Sequence, residues 1–272
     1  MDCVNALGDY LRARRELVQP ADVGIHGGGL RRVPGLRREE VALLAGISAD
    51  YYLRLEQGRD RNPSVQVLEA LARVLRLDSP ATAYLISLGG HLPPSALGEQ
   101  VPESVRELID SWTVHPAYVQ NAFTDVLAAN SLATAVSPNY APGVNVLRAV
   151  LLDPAERALR RDWTSLTEEG VATLRANVGP AVDDPRLTAL VAELSVASPH
   201  FRELWARHDV RPKRSRTSLL THPVVGDLEL RSNKLMLDDG LVLVVFHAEP
   251  GTVNVELLAR LSAGTGVPAT PR

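Results

Sequence analysis

The sequence contains little cysteine, few aromatic residues and little lysine. Its single cysteine, Cys3, excludes an intramolecular disulfide and any metal site built from cysteines alone. Aromatic residues make up 4% of the 272 positions, so aliphatic side chains must fill most of the cores. Lysine occurs only at Lys213 and Lys234, so nearly all positive charge is carried by arginine. The length favours two domains, and the cysteine usage fits a reducing compartment.

The sequence also lacks a secretion signal and a membrane-spanning run. Acidic residues and a basic cluster occupy the N-terminal positions where a signal peptide has its apolar core. The longest charge-free stretch, 126–147, contains two prolines and three asparagines, whose polar groups would be unpaired in lipid. We therefore expect a cytoplasmic protein with no membrane partner.

Sequence motifs of enzymes are missing as well. The seven histidines form no HxxxH pair, and GxSxG, GxGxxG and P-loop patterns are absent. His222 and Asp227 lie close in sequence without a nucleophile beside them, and no haem motif accompanies His208 or His247. The sequence thus predicts no enzyme, no catalytic residue, no metal and no obligatory cofactor.

Charge is distributed unevenly along the chain. The net charge is −3, but residues 10–61 hold ten arginines against seven acidic residues. Four of these arginines fall within eight positions, at Arg31, Arg32, Arg37 and Arg38. This cluster is either a patch that neutralises DNA phosphates or a solvated face in an arginine-rich chain.

Residues 1–90 have the pattern of a compact all-helical domain. Apolar residues recur with the 3.6-residue period of helices in five segments, which are separated by glycine, proline and capping residues. A segment rich in Gly and Pro follows, and we place an interdomain linker at 91–104. The second domain is then expected at 105–265.

The C-terminal segment mixes helical and strand-like patterns. Short strands are predicted at Ala117–Val119 and Asp125–Ala128, and further strand-like segments (SLLT, DLELRS, KLML and LVLVVFHA) follow from Thr217 onward. Asp-Pro and Ser-Pro pairs mark helix starts, and Asp153 with Glu156 predicts a capping box. Helices among antiparallel strands indicate an α+β domain, so the fold class is α+β overall, with an all-α domain first.

The most specific signal is LRREEVALLAGISADYYLRLEQG, which spans residues 36–58. The small Ala45 and the turn residue Gly46 allow two helices to cross closely and at a sharp angle. Ser48 is a good N-cap for the second helix, whose outer face holds Ala49, Asp50, Leu53 and Arg54. A helix held in this way can enter the major groove of DNA.

At these residues the chain resembles XRE/Cro-type helix-turn-helix proteins, and more closely the bacterial MmyB-like transcription regulators. The resemblance includes LRARRELVQPADVG, RRVPGLRREEVALLAGISADYYLRLEQGRDRNPS and VLEALARVLRL in the first half. It continues through SPHFRELWARHDVR, THPVVGDLEL and VVFHAEPGT, and so covers nearly the whole chain. It implies a five-helix DNA-binding domain followed by a PAS-like ligand-binding domain, and some members of the family bind fatty acids.

The resemblance also assigns roles at the DNA. Arg37 and Arg38 fall where phosphate is contacted, and Ala49, Asp50 and Arg54 fall where bases are read. Double-stranded DNA is the implied partner, as a palindromic operator bound by a homodimer. The full set of residues predicted to bind DNA is Arg31, Arg32, Arg37, Arg38, Ser48, Ala49, Asp50, Tyr51, Arg54 and Arg59.

Several of these residues have an alternative interpretation. Arg54 either pairs with a guanine or forms an ion pair with Asp50 one helical turn away. Arg37 and Arg38 either contact phosphate or pair with Glu40. The loop that contains Arg31 and Arg32 is either an arm that reaches DNA or an ordinary solvated loop.

The C-terminal domain is predicted to bind an apolar small-molecule effector, such as a fatty acid, and the alternative is a protein-interaction module without such a ligand. The alternative for Trp163 and Trp205 is a place in the core, which is more common for such residues, and the alternative for His208 is a satisfied structural group. The alternative for Arg148 is an ion pair with Asp153 or another acid. The residues predicted to hold a head group are Asn130, Arg148, His208 and Arg216, and those predicted to form apolar walls are Trp163, Phe201, Trp205 and Phe246.

Overall fold

A computed structural model describes residues 5–25, 35–60, 62–90, 99–178, 184–210, 215–237 and 240–264. Arg31, Arg32 and most of the predicted linker therefore lie outside the described residues. The N-terminal part contains the five predicted helices and a 3₁₀ turn at Pro20–Val23. The helices are α1 (Ala6–Leu17), α2 (Arg38–Ala45), α3 (Ala49–Glu56), α4 (Val65–Val74) and α5 (Ser79–Leu88).

Side-chain caps set where these helices begin. The Ser48 hydroxyl accepts the Tyr51 N–H at 3.1 Å and starts α3. Ser64 accepts the Val67 N–H at 3.4 Å and starts α4 in the same way. These oxygens satisfy backbone donors that have no partner within the helix. The helices then close around a core in which Leu11, Leu36, Leu55, Leu68 and Leu71 are fully buried.

The C-terminal part combines eight helices with five strands among its described residues. The helices are α6 (Glu103–Asp110), α7 (Ser131–Val136), α8 (Val146–Leu152), α9 (Pro154–Leu159), α10 (Trp163–Val178), α11 (Pro185–Ala197), α12 (Pro199–Ala206) and α13 (Val253–Gly264), with a 3₁₀ turn at Pro138–Tyr140. The strands are β1 (Ala117–Gln120), β2 (Val126–Ala129), β3 (Arg216–His222), β4 (Gly226–Met236) and β5 (Val242–His247).

The strands form one antiparallel sheet in the order β2-β1-β5-β4-β3. The segments DLELRS and KLML, predicted separately, lie in the single strand β4. Its first half pairs with β3 and its second half with β5, and the Asn233 backbone stays in the ladder opposite Val245. The α+β class with an antiparallel sheet is thus confirmed.

Residues on opposite faces of the sheet belong to different cores. Tyr118, Val244 and Phe246 pack on one face, in a cluster that also includes residues of α7 and α13. Val119 and Leu243 pack on the other face with Ile109 of α6. This alternation follows from the two-residue period of strands. Helix α6 begins inside the range assigned to the linker, because its apolar side is needed to cover this second face.

The two halves of the chain are in contact. Val210, after α12, is buried in the core of the N-terminal helices, and Ala176 of α10 packs against that core. None of the helices in the described part of the chain combines the length and apolar character that a bilayer crossing needs.

Candidate nucleic-acid interface and ligand cavity

The turn between α2 and α3 has the geometry that the sequence predicts. Gly46 has φ +71°, and its N–H donates to the Leu43 carbonyl at 3.3 Å. A side chain at this left-handed position would be strained, and glycine avoids that cost. Ser48 then caps α3, and the N-terminal end of this helix is exposed to solvent.

Helix α3 has a buried and an open side. Tyr52, Leu55 and Glu56 are buried, whereas Ala49 and Asp50 are exposed. Arg54 keeps 43% of its side chain exposed, and Asp50 keeps 73%. Both side chains thus point away from the protein, as a helix that reads bases requires.

Arg54 and Asp50 form an ion pair across one turn of α3. The Arg54 guanidinium also lies 5.6 Å from the centre of the Tyr51 ring. An exposed pair of this kind contributes about 0.3–0.5 kcal/mol, because water and salt screen it. DNA can therefore compete for Arg54 at low energetic cost. An ion pair with Asp50 in the free protein is thus compatible with a contact between Arg54 and a base in the complex.

Arg38 has a different partner from the one considered in the sequence. Its Nε donates to Glu56 at 2.6 Å, whereas the Glu40 carboxylate accepts the Arg37 backbone N–H at 2.7 Å. Arg38 still keeps 43% of its side chain exposed, and the Arg37 residue is exposed. Ser48 and Arg59 are exposed too, and Tyr51 is half-buried. The start of α2 thus presents two arginine side chains to solvent, and the outer side of α3 presents Arg54 together with its partner Asp50.

A cavity lies in the C-terminal domain between the sheet and helices α8 and α10. Its volume is about 90 Å³. Apolar contacts come from Val146, Val150, Val244 and Phe246. The polar groups include those of residues two apart on β3 and β4, namely Arg216, Ser218, Ser232 and Lys234.

Three cations line the cavity, and no acidic residue is among its lining residues in the described part of the chain. Arg216 pairs with Asp162 and with Glu169 at 3.4 Å, and Lys234 pairs with Glu169 at 3.2 Å. These carboxylates lie behind the cations and hold them in position. The cations thus line the cavity, whereas their counter-charges are not among its lining residues.

Arg160, the third cation, is almost completely buried. Its Nε donates to Glu156 at 2.7 Å and a terminal nitrogen donates to the Tyr140 hydroxyl at 2.5 Å. Burial acts to lower the pKa of Arg160, but Tyr140 and Glu156 outweigh it and raise that pKa. Burial also raises the pKa of Tyr140, so the phenol stays neutral near pH 7.

The predicted capping box between Asp153 and Glu156 is wrong, because the Glu156 side chain is hydrogen bonded to other residues. Its carboxylate faces Arg160 and the Ser137 hydroxyl, which donates at 2.6 Å. The Asp153 N–H donates to the Ala149 carbonyl at 2.9 Å, and the Glu156 side chain therefore does not accept from it. Asp153 does cap α9 by accepting the Ala155 N–H.

Three buried polar atoms at or beside the cavity have no hydrogen-bond partner among the described residues: Thr173 Oγ1, Arg216 Nε and Asp162 Oδ1. Thr173 and Arg216 line the cavity, and Asp162 contacts Arg216. Buried polar groups are nearly always satisfied, by protein, water or ligand. The polar end of this cavity thus offers hydrogen bonds to a bound molecule.

Of the eight residues predicted to bind an effector, Arg216 and Phe246 line this cavity. Asn130 instead caps α7 and bonds to backbone groups of four other residues, including Ala117 and Ile109. Arg148 is exposed and pairs with Glu193 through two hydrogen bonds of 2.7 and 2.6 Å.

The remaining four predicted residues lie in helix packing or at the contact between domains. The Trp163 indole donates to the Val150 carbonyl at 2.7 Å and stacks on His200. Phe201 is fully buried and stacks on Trp205 with ring centres 5.6 Å apart. His208 faces Tyr10 of the N-terminal domain. They hold helices together and are not among the residues that line the cavity.

Sequence reasoning did not select Arg160, Thr173 or Lys234, which line the cavity. The sequence of β4 did contain a signal, because Ser232 and Lys234 lie on the same side of the strand as its buried apolar residues. Polar residues on the buried side of a strand are uncommon and indicate a site. No three His, Cys, Asp or Glu side chains within the described residues are arranged to hold a metal ion.

Comparison with known families agrees with this division of the chain. Residues 101–261 match the family described as the MmyB-like transcription regulator ligand binding domain. Residues 6–85 match a helix-turn-helix domain family. A search of curated proteins finds no match to the chain. The matched families are those of a regulator rather than of an enzyme.

Proposed function

The chain belongs to the MmyB-like transcription regulators, and we propose that it reads specific operator DNA through α3 and senses a small amphiphilic molecule in its C-terminal cavity. The observation that carries the DNA-binding role is the open outer side of α3, with Asp50 and Arg54 both directed into solvent. The base-reading residues are Ala49, Asp50 and Arg54. The residues proposed to contact the sugar-phosphate backbone of the DNA are Arg37, Arg38, Ser48, Tyr51 and Arg59.

The chemistry of this surface supports the proposed roles. Arg54 can donate two hydrogen bonds to guanine, Asp50 can accept from cytosine, and Ala49 can contact a thymine methyl group. Arg37 and Arg38 stand at the start of α2, where positive side chains meet phosphate. Genome-wide footprinting of the purified chain identifies its operators. Binding that does not discriminate between genomic sequences would contradict a sequence-specific regulator.

The effector role rests on the division of the cavity into an apolar and a basic side. Val146, Val150 and Phe246 suit a hydrocarbon body, and Arg216 with Lys234 suits an acidic head group. The free Nε of Arg216 offers a hydrogen bond that the protein does not use. These features favour an amphiphile such as a fatty acid, held in a PAS-like domain.

Mass spectrometry of molecules released from natively purified protein tests this role. A co-purified carboxylic acid, lost in an Arg216→Met variant but retained in an Arg148→Met variant, is the expected result. Arg148 carries the same charge but lies outside the cavity, so it is the matched control. Protein that releases no small molecule and binds no added decanoate would instead favour a protein-interaction module.

A regulator of this kind meets its operator inside the cell, so we infer a cytoplasmic location. We also infer a homodimer on a palindromic operator, with half-sites about 34–36 Å apart, because two-fold protein symmetry places two recognition helices one turn of DNA apart. The mass of the complex with DNA, measured by light scattering, tests the dimer. One chain per operator would contradict it.

A further inference from the structure

Helix α10 contacts both the cavity and the DNA-binding domain. Leu166, Gly170 and Thr173 line the cavity from one side of this helix. Arg175, two residues after Thr173, lies about 200° further around the helix axis and so points the opposite way. Helix α10 therefore separates the cavity from the surface against which the N-terminal helices dock.

Arg175 is the centre of that docking surface, with 6% of the residue exposed. Its guanidinium lies 3.8 Å from the centre of the Trp205 ring and donates to the Trp205 carbonyl at 2.7 Å. It also contacts His208 Nδ1 at 3.2 Å. Its positive charge acts on the phenol of Tyr84 in α5, where it opposes the rise in pKa that burial causes. Arg175 thus joins α10 to α12 at the place where α10 meets α5 of the DNA-binding domain.

Other contacts complete the interface. The Tyr10 ring packs edge-on against Tyr84, with ring centres 5.1 Å apart, and approaches His208 at 6.4 Å. Arg14 of α1 pairs with Asp209 at 3.2 Å. Within the described residues no carboxylate lies in direct contact with Arg175. A buried cation held only by dipoles and ring faces depends closely on their geometry.

The cavity is small for the ligand class proposed above. Its volume of about 90 Å³ is below the roughly 150 Å³ of an engineered cavity that accepts benzene. A Cβ atom on Gly170 would lie 3.1 Å from Leu147 Cδ1, so α10 and α8 are already in close contact. The cavity is partly open, so an acyl chain either extends out of it or displaces a wall. The sheet wall is tied by ladder hydrogen bonds to neighbouring strands, which leaves the helices as the walls that can shift.

We propose that filling the cavity moves α10, and Arg175 with it, relative to α5, so that effector binding releases the DNA-binding domain from the sensor domain. This inference rests on the proposed function, since it concerns the regulation of the same cavity. A shift of about 1–2 Å is typical of helices at such interfaces, and it is enough to separate hydrogen-bonded atoms. The coupling acts in both directions, because linkage is reciprocal.

A cavity-filling variant tests the coupling without any ligand. In Gly170→Leu the new side chain enters the space between α10 and α8. We expect amides of α5 to exchange at least about 5-fold faster in the full chain, as measured by hydrogen exchange with mass spectrometry, while those of α4 keep their rates. Thr164→Leu, at an exposed position of α10, is the control and leaves both helices unchanged. Unchanged exchange in α5, or equal acceleration throughout the N-terminal helices, would overturn the inference.

A second experiment uses decanoate as the probe ligand. We expect it to slow exchange in β3 and β4 and to accelerate exchange in α5. The variant Tyr84→Phe, which lacks the hydroxyl that interacts electrostatically with Arg175, should bind decanoate at least about 5-fold more tightly. Glu69→Gln, at an exposed position of α4, should bind it as the wild type does. Protection of the strands without a change in α5 overturns the coupling and leaves the proposed function intact. Absence of decanoate binding overturns the proposed ligand, and the result for Gly170→Leu then decides the coupling alone.

Discussion

Arg15 of α1 donates from Nε to the Glu56 carboxylate at 2.7 Å and ties the first helix to the end of α3. Glu56 is fully buried, and Arg15 is 4% exposed. A terminal nitrogen of Arg15 also donates to the Leu36 carbonyl at 2.9 Å, just before α2. Arg38 occupies the other oxygen of Glu56. One buried carboxylate thus fixes the relative positions of α1, α2 and α3.

Replacing Glu56 by glutamine should strongly destabilise the N-terminal domain. The substitution leaves the buried Arg15 with only the more distant and half-exposed carboxylate of Glu16, at 3.8 Å, as a counter-charge. Breaking a buried pair such as Arg15–Glu56 typically costs about 3–5 kcal/mol. We expect the free energy of unfolding, measured by urea denaturation, to fall by about 3 kcal/mol. The control Glu39→Gln, on the exposed side of α2, should change it by less than about 0.5 kcal/mol. Equal effects in the two variants would show that burial of Glu56 has no energetic consequence.

Arg38 and Arg54 should affect DNA binding in different ways. We expect Arg54→Ala to relax base preference at one position of each half-site, by about 1–3 kcal/mol, because a base contact is lost. Arg38→Ala should weaken binding to all sequences and reduce the salt dependence by about one phosphate contact. Gel shifts with an operator-variant panel across a salt series measure both effects.

The control for this pair is Arg260→Ala, which removes the same charge from an exposed position on α13. It should leave both base preference and salt dependence unchanged. An Arg38→Ala protein with wild-type salt dependence would mean that Arg38 serves only to neutralise Glu56. Because Arg38 has this second role, the unfolding free energy of each variant must accompany the binding data.

The helices of the N-terminal domain could be predicted because their signals are local. Ser48 and Gly46 act within one turn of their own positions, and the apolar period of α3 fixes which side faces solvent. The identity of the partner of Arg38 could not be predicted in this way. Glu56 lies eighteen residues away, and only the packing of α2 against α3 brings the two side chains together.

The cavity was harder to predict because it depends on strand register. Arg216 lies opposite Ser232, and Lys234 opposite Val244, and neither pairing can be read from local pattern. Trp163 and Phe201 have the large apolar rings expected of a pocket wall, but such side chains serve equally well in packing. The resemblance identified the kind of domain without locating its cavity residues.

The Thr173 hydroxyl should matter for the effector and not for the fold. This group has no partner within the described residues, and leaving a buried hydroxyl unpaired costs about 1–3 kcal/mol. Thr173→Val should therefore leave the unfolding free energy unchanged or higher, while the affinity for decanoate falls. Isothermal calorimetry and urea denaturation measure the two quantities.

Thr167 provides a matched control on the same helix. Its hydroxyl donates to the Thr164 carbonyl at 2.8 Å and lies 2.9 Å from His200 Nε2. Thr167→Val should lower the unfolding free energy by about 1 kcal/mol and leave decanoate affinity unchanged. If Thr173→Val proves as destabilising as Thr167→Val, the Thr173 hydroxyl has a structural partner and is not reserved for a ligand.

The docked arrangement of the two domains should weaken in mild acid because of His208. Burial, followed by the charges of Arg175 and Arg14, lowers the pKa of His208 from 6.5 to about 4. Tyr10 packs beside the ring, and the nearby Asp209 is engaged by Arg14. The imidazole is therefore neutral when docked and gains a proton more readily when exposed. Stability is complete above pH 6.5, declines as the pH falls toward 4, and levels off below that value.

The decline should not exceed about 1.4 kcal/mol per pH unit, the limit for one proton. Urea midpoints measured between pH 4 and pH 7.5 give the slope, and the NMR titration of His208 gives its pKa directly. His208→Asn is the control, since asparagine tolerates the positive φ of +52° at this position. The variant should lose this part of the pH dependence. A variant with the same slope as the wild type would assign the acid sensitivity to other groups, and an NMR pKa near 6.5 would show that His208 is not held between the domains in solution.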